Sequence, residues 1–327
     1  MSHPCLLIAD IGGTNARFAL ADAATGNYDE EIEYRCADFT SVQDAITHYL
    51  NETGVGPPEL ICLAVAAPTV DDPVHFTNSD WSISCKELKQ QFGATEVRLL
   101  NDFEAIALAM PALADDERSR IGTRHRADLC RENFTIGVLG PGTGLGGSGL
   151  VRRDGRDAVL VTEAGHGSMA AENAIQQEII TLLREDYGRV SYERLLSGPG
   201  IENIYRCLRQ IRGAGEADAS ASRIGEKALS GEDDIAVETL GIFFEMLGQV
   251  AGDFALMIGA FDGIFIAGGI ARRYTDLLQH SGFRNGFENK GRYQSLMKSI
   301  PSELITHPQP GLQGASISAI KMVPVLT

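Results

Sequence analysis

The sequence predicts an α/β protein of two domains, on three observations. With 327 residues, 44% of them hydrophobic, the chain exceeds the roughly 100–200 residues of one ordinary domain and can bury a large core without covalent staples. A pattern of strand, glycine turn, strand, turn and strand occurs twice, in CLLIADIGGTNARFALADAATGNYDEEIEYRC and in FTIGVLGPGTGLGGSGLVRRDGRDAVLV, which marks two related halves. Between and after these blocks, segments of helical period alternate with short apolar runs of strand length.

The first block turns at its glycine pair and again at Thr25-Gly26-Asn27. A helix is expected over residues 41–52, where Val42, Ala45, Ile46, Tyr49 and Leu50 recur at helical spacing. The loop at residues 54–58 leads into ELICLAVAAP, an apolar run ended by Pro68 that reads as a buried central strand. A helix over residues 85–92 and the short strand EVRLL come next. That strand stops at Asn101-Asp102, and FEAIALAM after it is a good helix start. The second block makes its second turn at Asp154-Gly155. Helices then dominate residues 171–259, the longest through ETLGIFFEMLGQVAGDFALMIGAF, where Gly248, Ala251, Gly252 and Ala255 repeat at three- and four-residue intervals and predict close helix packing. The strand GIFIAGG, one further helix and a terminal helix, PGLQGASISAI, complete the chain.

A formal charge of −16 argues against nucleic acid or an anionic membrane surface as a partner, since binding to either needs clustered Lys and Arg. Any phosphate must be held locally, by backbone N–H groups and a metal ion. The six cysteines lie far apart with no CxxC pair, so reduced thiols in the cytoplasm are expected rather than a zinc cage or disulfide framework. The N-terminus has no basic run ahead of its apolar stretch, so no signal peptide is expected. No stretch is expected to approach the roughly 18 apolar residues of a membrane span.

Gly142, Gly144 and Gly147 satisfy the G-x-G-x-x-G spacing after a strand, but the segment continues as a hairpin where a dinucleotide fold would open a helix. No Walker loop occurs. What remains is a phosphate loop between two strands, present twice: Asp10-Ile11-Gly12-Gly13-Thr14-Asn15 and Gly140-Pro141-Gly142-Thr143-Gly144. Missing side chains let backbone N–H groups approach phosphate oxygens, Thr14 or Thr143 adds a hydroxyl, and Asp10 is placed to hold Mg²⁺ through water. A single such loop would read as a tight hairpin turn. Two of them, with the pair Gly268-Gly269 between strand and helix, favour a nucleotide site.

The motifs DIGGTNAR, LLNDFEA, GPGTGLG, EAGHG, ERLLSGPG and FIAGGIA occur in the order seen in bacterial glucokinases, and the chain resembles that family from Leu7 to about Gly314. The resemblance implies two actin-like ATPase (ribonuclease H-like) domains flanking a deep active-site cleft, residues 1–112 plus 305–327 forming the smaller and 113–304 the larger. It implies ATP-dependent phosphorylation of D-glucose at the 6-hydroxyl, the first step of glycolysis, and a homodimer. The related repressor/kinase clade carries a cysteine-rich zinc motif after its Glu-x-x-His and often an N-terminal DNA-binding extension. Neither is found here, which favours a metabolic glucokinase without structural zinc.

Phosphoryl transfer proceeds through a loose transition state, so catalysis is mostly positioning, charge neutralisation and a carboxylate to receive the hydroxyl proton. Asp102 is the candidate: it ends a strand and opens a helix, where ligands of α/β folds collect. Read from the residues, Asn101 or Asp102 is equally the N-cap of the helix beginning at Phe103; the resemblance makes Asp102 the base. A hexose offers hydroxyls that are both donor and acceptor, which suits carboxylate, amide and imidazole side chains. Glu163 and His166 lie three apart in a glycine-flanked loop, which by itself also reads as a solvated turn. The resemblance assigns both to glucose together with Asn101 and Glu193, and Asn78 as a further contact. It places Gly12, Gly13, Gly142, Thr143 and Gly144 at the phosphates of ATP and Gly268 and Gly269 near the adenosine. With little Lys or Arg in the scheme, Mg²⁺ must supply most of the positive charge. A kinase for mannose, fructose or an amino sugar, and a sugar sensor without turnover, are the alternatives.

Overall fold

The computed structural model describes residues 5–76, 81–122, 125–215 and 219–323. The chain divides into two compact units, Met1–Leu113 with His307–Thr327, and Ala114–Thr306.

The first unit begins with the expected meander: β1 (Leu6–Ile11), β2 (Asn15–Ala21) and β3 (Tyr28–Arg35) pair antiparallel. Helix α1 (Val42–Thr53) follows; Ser41 Oγ caps its start by accepting the Asp44 N–H at 3.1 Å, and Gly54 ends it at φ 68°. Strand β4 (Leu60–Val65) is buried along its whole length, as its unbroken apolar run requires. A small hairpin, β5 (Val74–His75) with β6 (Ser82–Ile83), precedes helix α2 (Cys85–Phe92), then strand β7 (Glu96–Asn101) and helix α3 (Asp102–Ala109). The sheet order is β3-β2-β1-β4-β7, with β1, β4 and β7 parallel. The C-terminal helix, which becomes α12 (Pro310–Met322), returns to this unit, packing on α3, β1 and β4. Leu7, Ala9, Ile11, Phe18, Ile46 and Tyr49 lie at the centre of its core.

The second unit repeats the plan. Strand β8 (Arg118–Arg120) precedes the meander β9 (Phe134–Pro141), β10 (Leu145–Arg153) and β11 (Arg156–Thr162). Asp154 (φ 51°) and Gly155 (φ 73°) make the β10–β11 turn, the two positive φ angles that a tight right-twisting hairpin demands. Helices α4 (Ala174–Tyr187), α5 (Gly198–Ile211), α6 (Ala221–Ser230) and α7 (Asp234–Ile258) follow. Strand β12 (Gly263–Ile266) and strand β13 (Ser302–Ile305) then bracket four short helices, α8 (Gly269–Arg273), α9 (Thr275–His280), α10 (Phe283–Glu288) and α11 (Gln294–Ser299). The sheet order is β11-β10-β9-β12-β13-β8, with β9, β12 and β13 parallel. Outermost meander strand first, its five leading strands repeat the arrangement of the first sheet.

Three expectations are corrected. The single helix expected after β12 is a series of short ones. Strands β8 and β13 went unread because β8 is three polar-rich residues, RSR, and β13 carries a charge: Glu303 is fully buried, its carboxylate meeting Arg126 at 3.1 Å and the Ala127 N–H at 2.6 Å. Finally, α7 is long and apolar enough, by length and composition, to pass as a membrane span, yet most of it is buried inside the protein. Its apolar faces are covered by α5, α6 and α10. The small residues explain that closeness: a Cβ on Gly248 or Gly252 would collide with the carbonyl of Phe283 or Phe287 on α10, and one on Gly286 with that of Glu245.

Candidate functional site

In both sheets the candidate residues gather where the parallel strands end at their carboxyl edge, the place where α/β folds bind ligands. In the first unit Ile11, Val65 and Asn101 are in register across β1, β4 and β7. Asn101 caps α3, its Oδ1 accepting the N–H of Phe103 at 3.0 Å and of Glu104 at 3.4 Å, while Glu104 returns a bond to the Asn101 N–H. The Asn101 amide also donates to the Ala67 carbonyl at 3.4 Å. The cap is therefore Asn101, and Asp102 is the first helical residue. Asp102 is partly exposed and accepts the Phe103 N–H at 2.9 Å. Asn78 lies outside the described residues.

The first glycine loop joins β1 to β2. The Gly12 N–H is taken by Asn15 O at 2.9 Å and Thr14 O accepts from Cys36 at 2.8 Å, so the turn is rigidly tied. Gly13 and Thr14 are exposed, and their N–H groups meet no backbone acceptor among the described residues. The Asn15 amide donates to Glu33 at 2.6 Å. Asp10 stands opposite Arg17 in the β1–β2 ladder. Desolvation pushes its carboxyl up to about 6, with Arg17 pulling the other way. Arg17 is shared: it pairs with Glu31 at 3.2 Å and with Glu33, and donates to the Gln309 side chain at 2.6 Å. Gln309 precedes α12, whose Gly311 has no room for a Cβ because the Asp10 carboxylate fills that space. This surround of Asp10 was missed in the sequence; its one signal is a glycine directly after the proline that opens the last helix.

In the second unit three segments converge on residues 141–145. The Gly142 N–H bonds Gly144 O at 2.8 Å, and the exposed Thr143 crowns the turn. From one side the N–H of Gly198, first residue of α5, donates to Gly142 O at 2.8 Å. On another, Gly268 (φ 91°) lies so close to the Pro141 carbonyl that no side chain fits. Third, the Glu193 carboxylate accepts the Leu145 N–H at 3.0 Å and occupies the space a Cβ on Gly144 would need. Glu193 is thus a loop residue reaching inward. Gly142 and Gly269 by contrast have room: a Cβ on either meets nothing within 4 Å among the described residues.

Glu163 precedes and His166 ends a short turn (Ala164–His166), their side chains 59% exposed and 4.0 Å apart. Backbone bonds tie this turn to the Glu193 segment: Glu193 N–H to Gly165 O at 2.9 Å, and Tyr192 N–H to Gly167 O at 2.8 Å. The structure therefore brings Glu163, His166, Glu193 and residues 142–145 into one cluster. A depression on α6, lined by Ser220, Arg223, Glu226 and Lys227 among others, includes none of the candidate residues.

A family model described as Glucokinase matches residues 7–322. A glucokinase of Caulobacter sp. (strain K31) is 43% identical over 317 residues, 95% of this chain and 94% of that one. The crystal structure of a glucokinase from an Antarctic psychrotroph, 38% identical, matches with a TM-score of 0.87, covering 98% of this chain and 100% of the other. A ROK family glucokinase from Streptomyces griseus in complex with glucose and AMPPNP shares the fold at 17% identity and a TM-score of 0.63, over 97% of this chain and 99% of that one. The fold is the two-domain actin-like ATPase fold of these sugar kinases.

Proposed function

Since this chain belongs to the glucokinase family and is an ATP-dependent hexose kinase, we propose that Asp102 receives the proton of the 6-hydroxyl of glucose as the γ-phosphoryl group is transferred. The observation that carries this reading is the division of labour at the start of α3, where Asn101 and Glu104 form the capping box and the partly exposed Asp102 shares only the Phe103 N–H. A carboxylate at a helix N-terminus is stabilised in its ionised form. It is therefore a weak base that takes the proton late, as the hydroxyl grows acidic during transfer, an effect of about 10²–10⁴ in rate.

Asn101, Glu163, His166 and Glu193 pair with the remaining hydroxyls, with Asn78 as a further candidate. The two glycine turns receive the phosphates through N–H groups beyond those already used within each turn, and Gly268-Gly269 lies towards the adenosine. Mg²⁺ fits the residues present. Asp10 offers one desolvated carboxylate that Arg17 only partly compensates, and Mg²⁺ on a nucleotide draws its other ligands from water and phosphate rather than from a protein cage. Asp10 would hold the ion through water, and the ion would neutralise charge on the phosphates. A homodimer acting in the cytoplasm at the start of glycolysis completes the reading, supported by the family and by six free cysteines.

The test is a coupled assay for glucose 6-phosphate on the wild type and on Asp102→Ala folded to the same extent. Activity is expected to fall at least about a hundredfold with glucose still bound. An active variant would return Asp102 to a purely structural place at the start of α3.

A further inference from the structure

Glu193 sits between the two loops that meet in the second unit. Its carboxylate holds the far end of the glycine turn through the Leu145 N–H at 3.0 Å. Its backbone N–H holds Gly165, inside the Glu163–His166 turn, at 2.9 Å. The same segment anchors the near end of the glycine turn, because Ser197 Oγ donates to Glu193 O at 2.8 Å and Gly198 N–H donates to Gly142 O at 2.8 Å. Of these ties, the carboxylate is the one a sugar can address. It is partly exposed, and with one oxygen on Leu145 it keeps a second that can accept a hydroxyl.

We infer that Glu193 is a positioning residue that couples the sugar site to the phosphate loop, so that sugar held on one carboxylate oxygen orders residues 142–145 through the other. The inference rests on the reading of Glu193 as a sugar ligand. Its physical basis is entropic. A partly exposed glutamate has several rotamers, and only some of them bond Leu145. A hydroxyl donating to the free oxygen fixes the side chain, and a nucleotide that binds next meets a turn already ordered. Coupling is reciprocal, so nucleotide must tighten sugar binding by the same factor.

The test is titration of Mg-AMPPNP into the protein with and without glucose at a concentration saturating for each variant, alongside hydrogen exchange of the peptide spanning residues 142–146. In the wild type, glucose is expected to tighten AMPPNP about fivefold or more and to slow exchange at Leu145. Glu193→Ala should bring that ratio to within about twofold of one and abolish the glucose-dependent protection. Glu193→Gln, whose amide oxygen can still accept the Leu145 N–H but whose NH2 group cannot accept a sugar hydroxyl, should keep the turn bonded and lose most of both, which a merely structural role would not predict. Wild-type coupling in Glu193→Ala, or a wild type in which glucose leaves residues 142–146 unchanged, would overturn the inference. The second result needs no variant to fold. An unchanged glucose affinity in Glu193→Ala would instead remove Glu193 from the sugar site, and the coupling with it, while leaving the kinase and Asp102 untouched.

Discussion

Gly142 and Gly144 stand two residues apart in one turn, and their missing side chains serve different ends. No described residue occupies the space beside Gly142, whereas the Glu193 carboxylate fills the space beside Gly144. Gly142→Ala is therefore expected to leave the melting temperature nearly unchanged while raising the KM for ATP, because only the ligand needs that space. Gly144→Ala displaces Glu193 and should raise the KM for both substrates. Steady-state kinetics with thermal melts on both variants check the contrast. At Asp10 the expectation concerns pH in the metal-free protein. Its folded-state value, about 6, lies above the ordinary 3.8, so between these the native state binds more protons than the unfolded chain and stability falls as pH rises through that window. Asp10→Asn should be more stable than wild type at pH 7, by up to about 3 kcal/mol, with the difference vanishing below about pH 4. Equilibrium denaturation at both pH values, in the presence of a chelator, is the measurement, and a constant difference would remove Asp10 as its source.

Helix α7 shows what small residues do for an element. Gly248 and Gly252 meet carbonyls on α10, and Gly286 returns the contact. In an isolated helix each would gain stability on replacement by alanine, roughly 1 kcal/mol. Here Gly286→Ala should instead destabilise by about 1–3 kcal/mol, since the added methyl meets backbone that cannot rotate away; urea denaturation gives the sign directly. The spacing of glycines and alanines in α7 was legible in the sequence as close packing, but its partner was not. Nothing in FRNGFE marks it as the helix against which α7 lies. The strand–turn–strand blocks were legible because turns at Gly26 and Asp154-Gly155 need positive φ and glycine supplies it cheaply. Strands β8 and β13 were not, because a buried ion pair erases the apolar signal.

For the whole chain, the decisive feature is the return of α12 to the first unit. The division falls at Leu113/Ala114 and Thr306/His307. Helix α12 covers α3, β1 and β4, Gly314 lies against the Ala105 carbonyl, and Gly311 shapes the surround of Asp10. A chain ending at residue 306 should therefore lose the cooperative unfolding of its first unit. Limited proteolysis would show this as early cleavage within residues 5–113, while the second unit, which contains none of α12, should persist.

The sequence by itself determined the duplicated α/β plan, the glycine turns and the family, because glycine turns and apolar runs are local signals carried by the residues that need them. It also named Asp102, although from the residues alone cap and base were equally open. Only the tertiary structure decided between Asn101 and Asp102 as the cap, since both reach the Phe103 N–H and only Asn101 reaches that of Glu104. Only it could show that Glu193 reaches Leu145 across 48 residues, or that Arg17 reaches Gln309 across 292. Contacts of that span leave no periodicity in the chain: they exist because two segments, each folded for its own reasons, end up at one sheet edge.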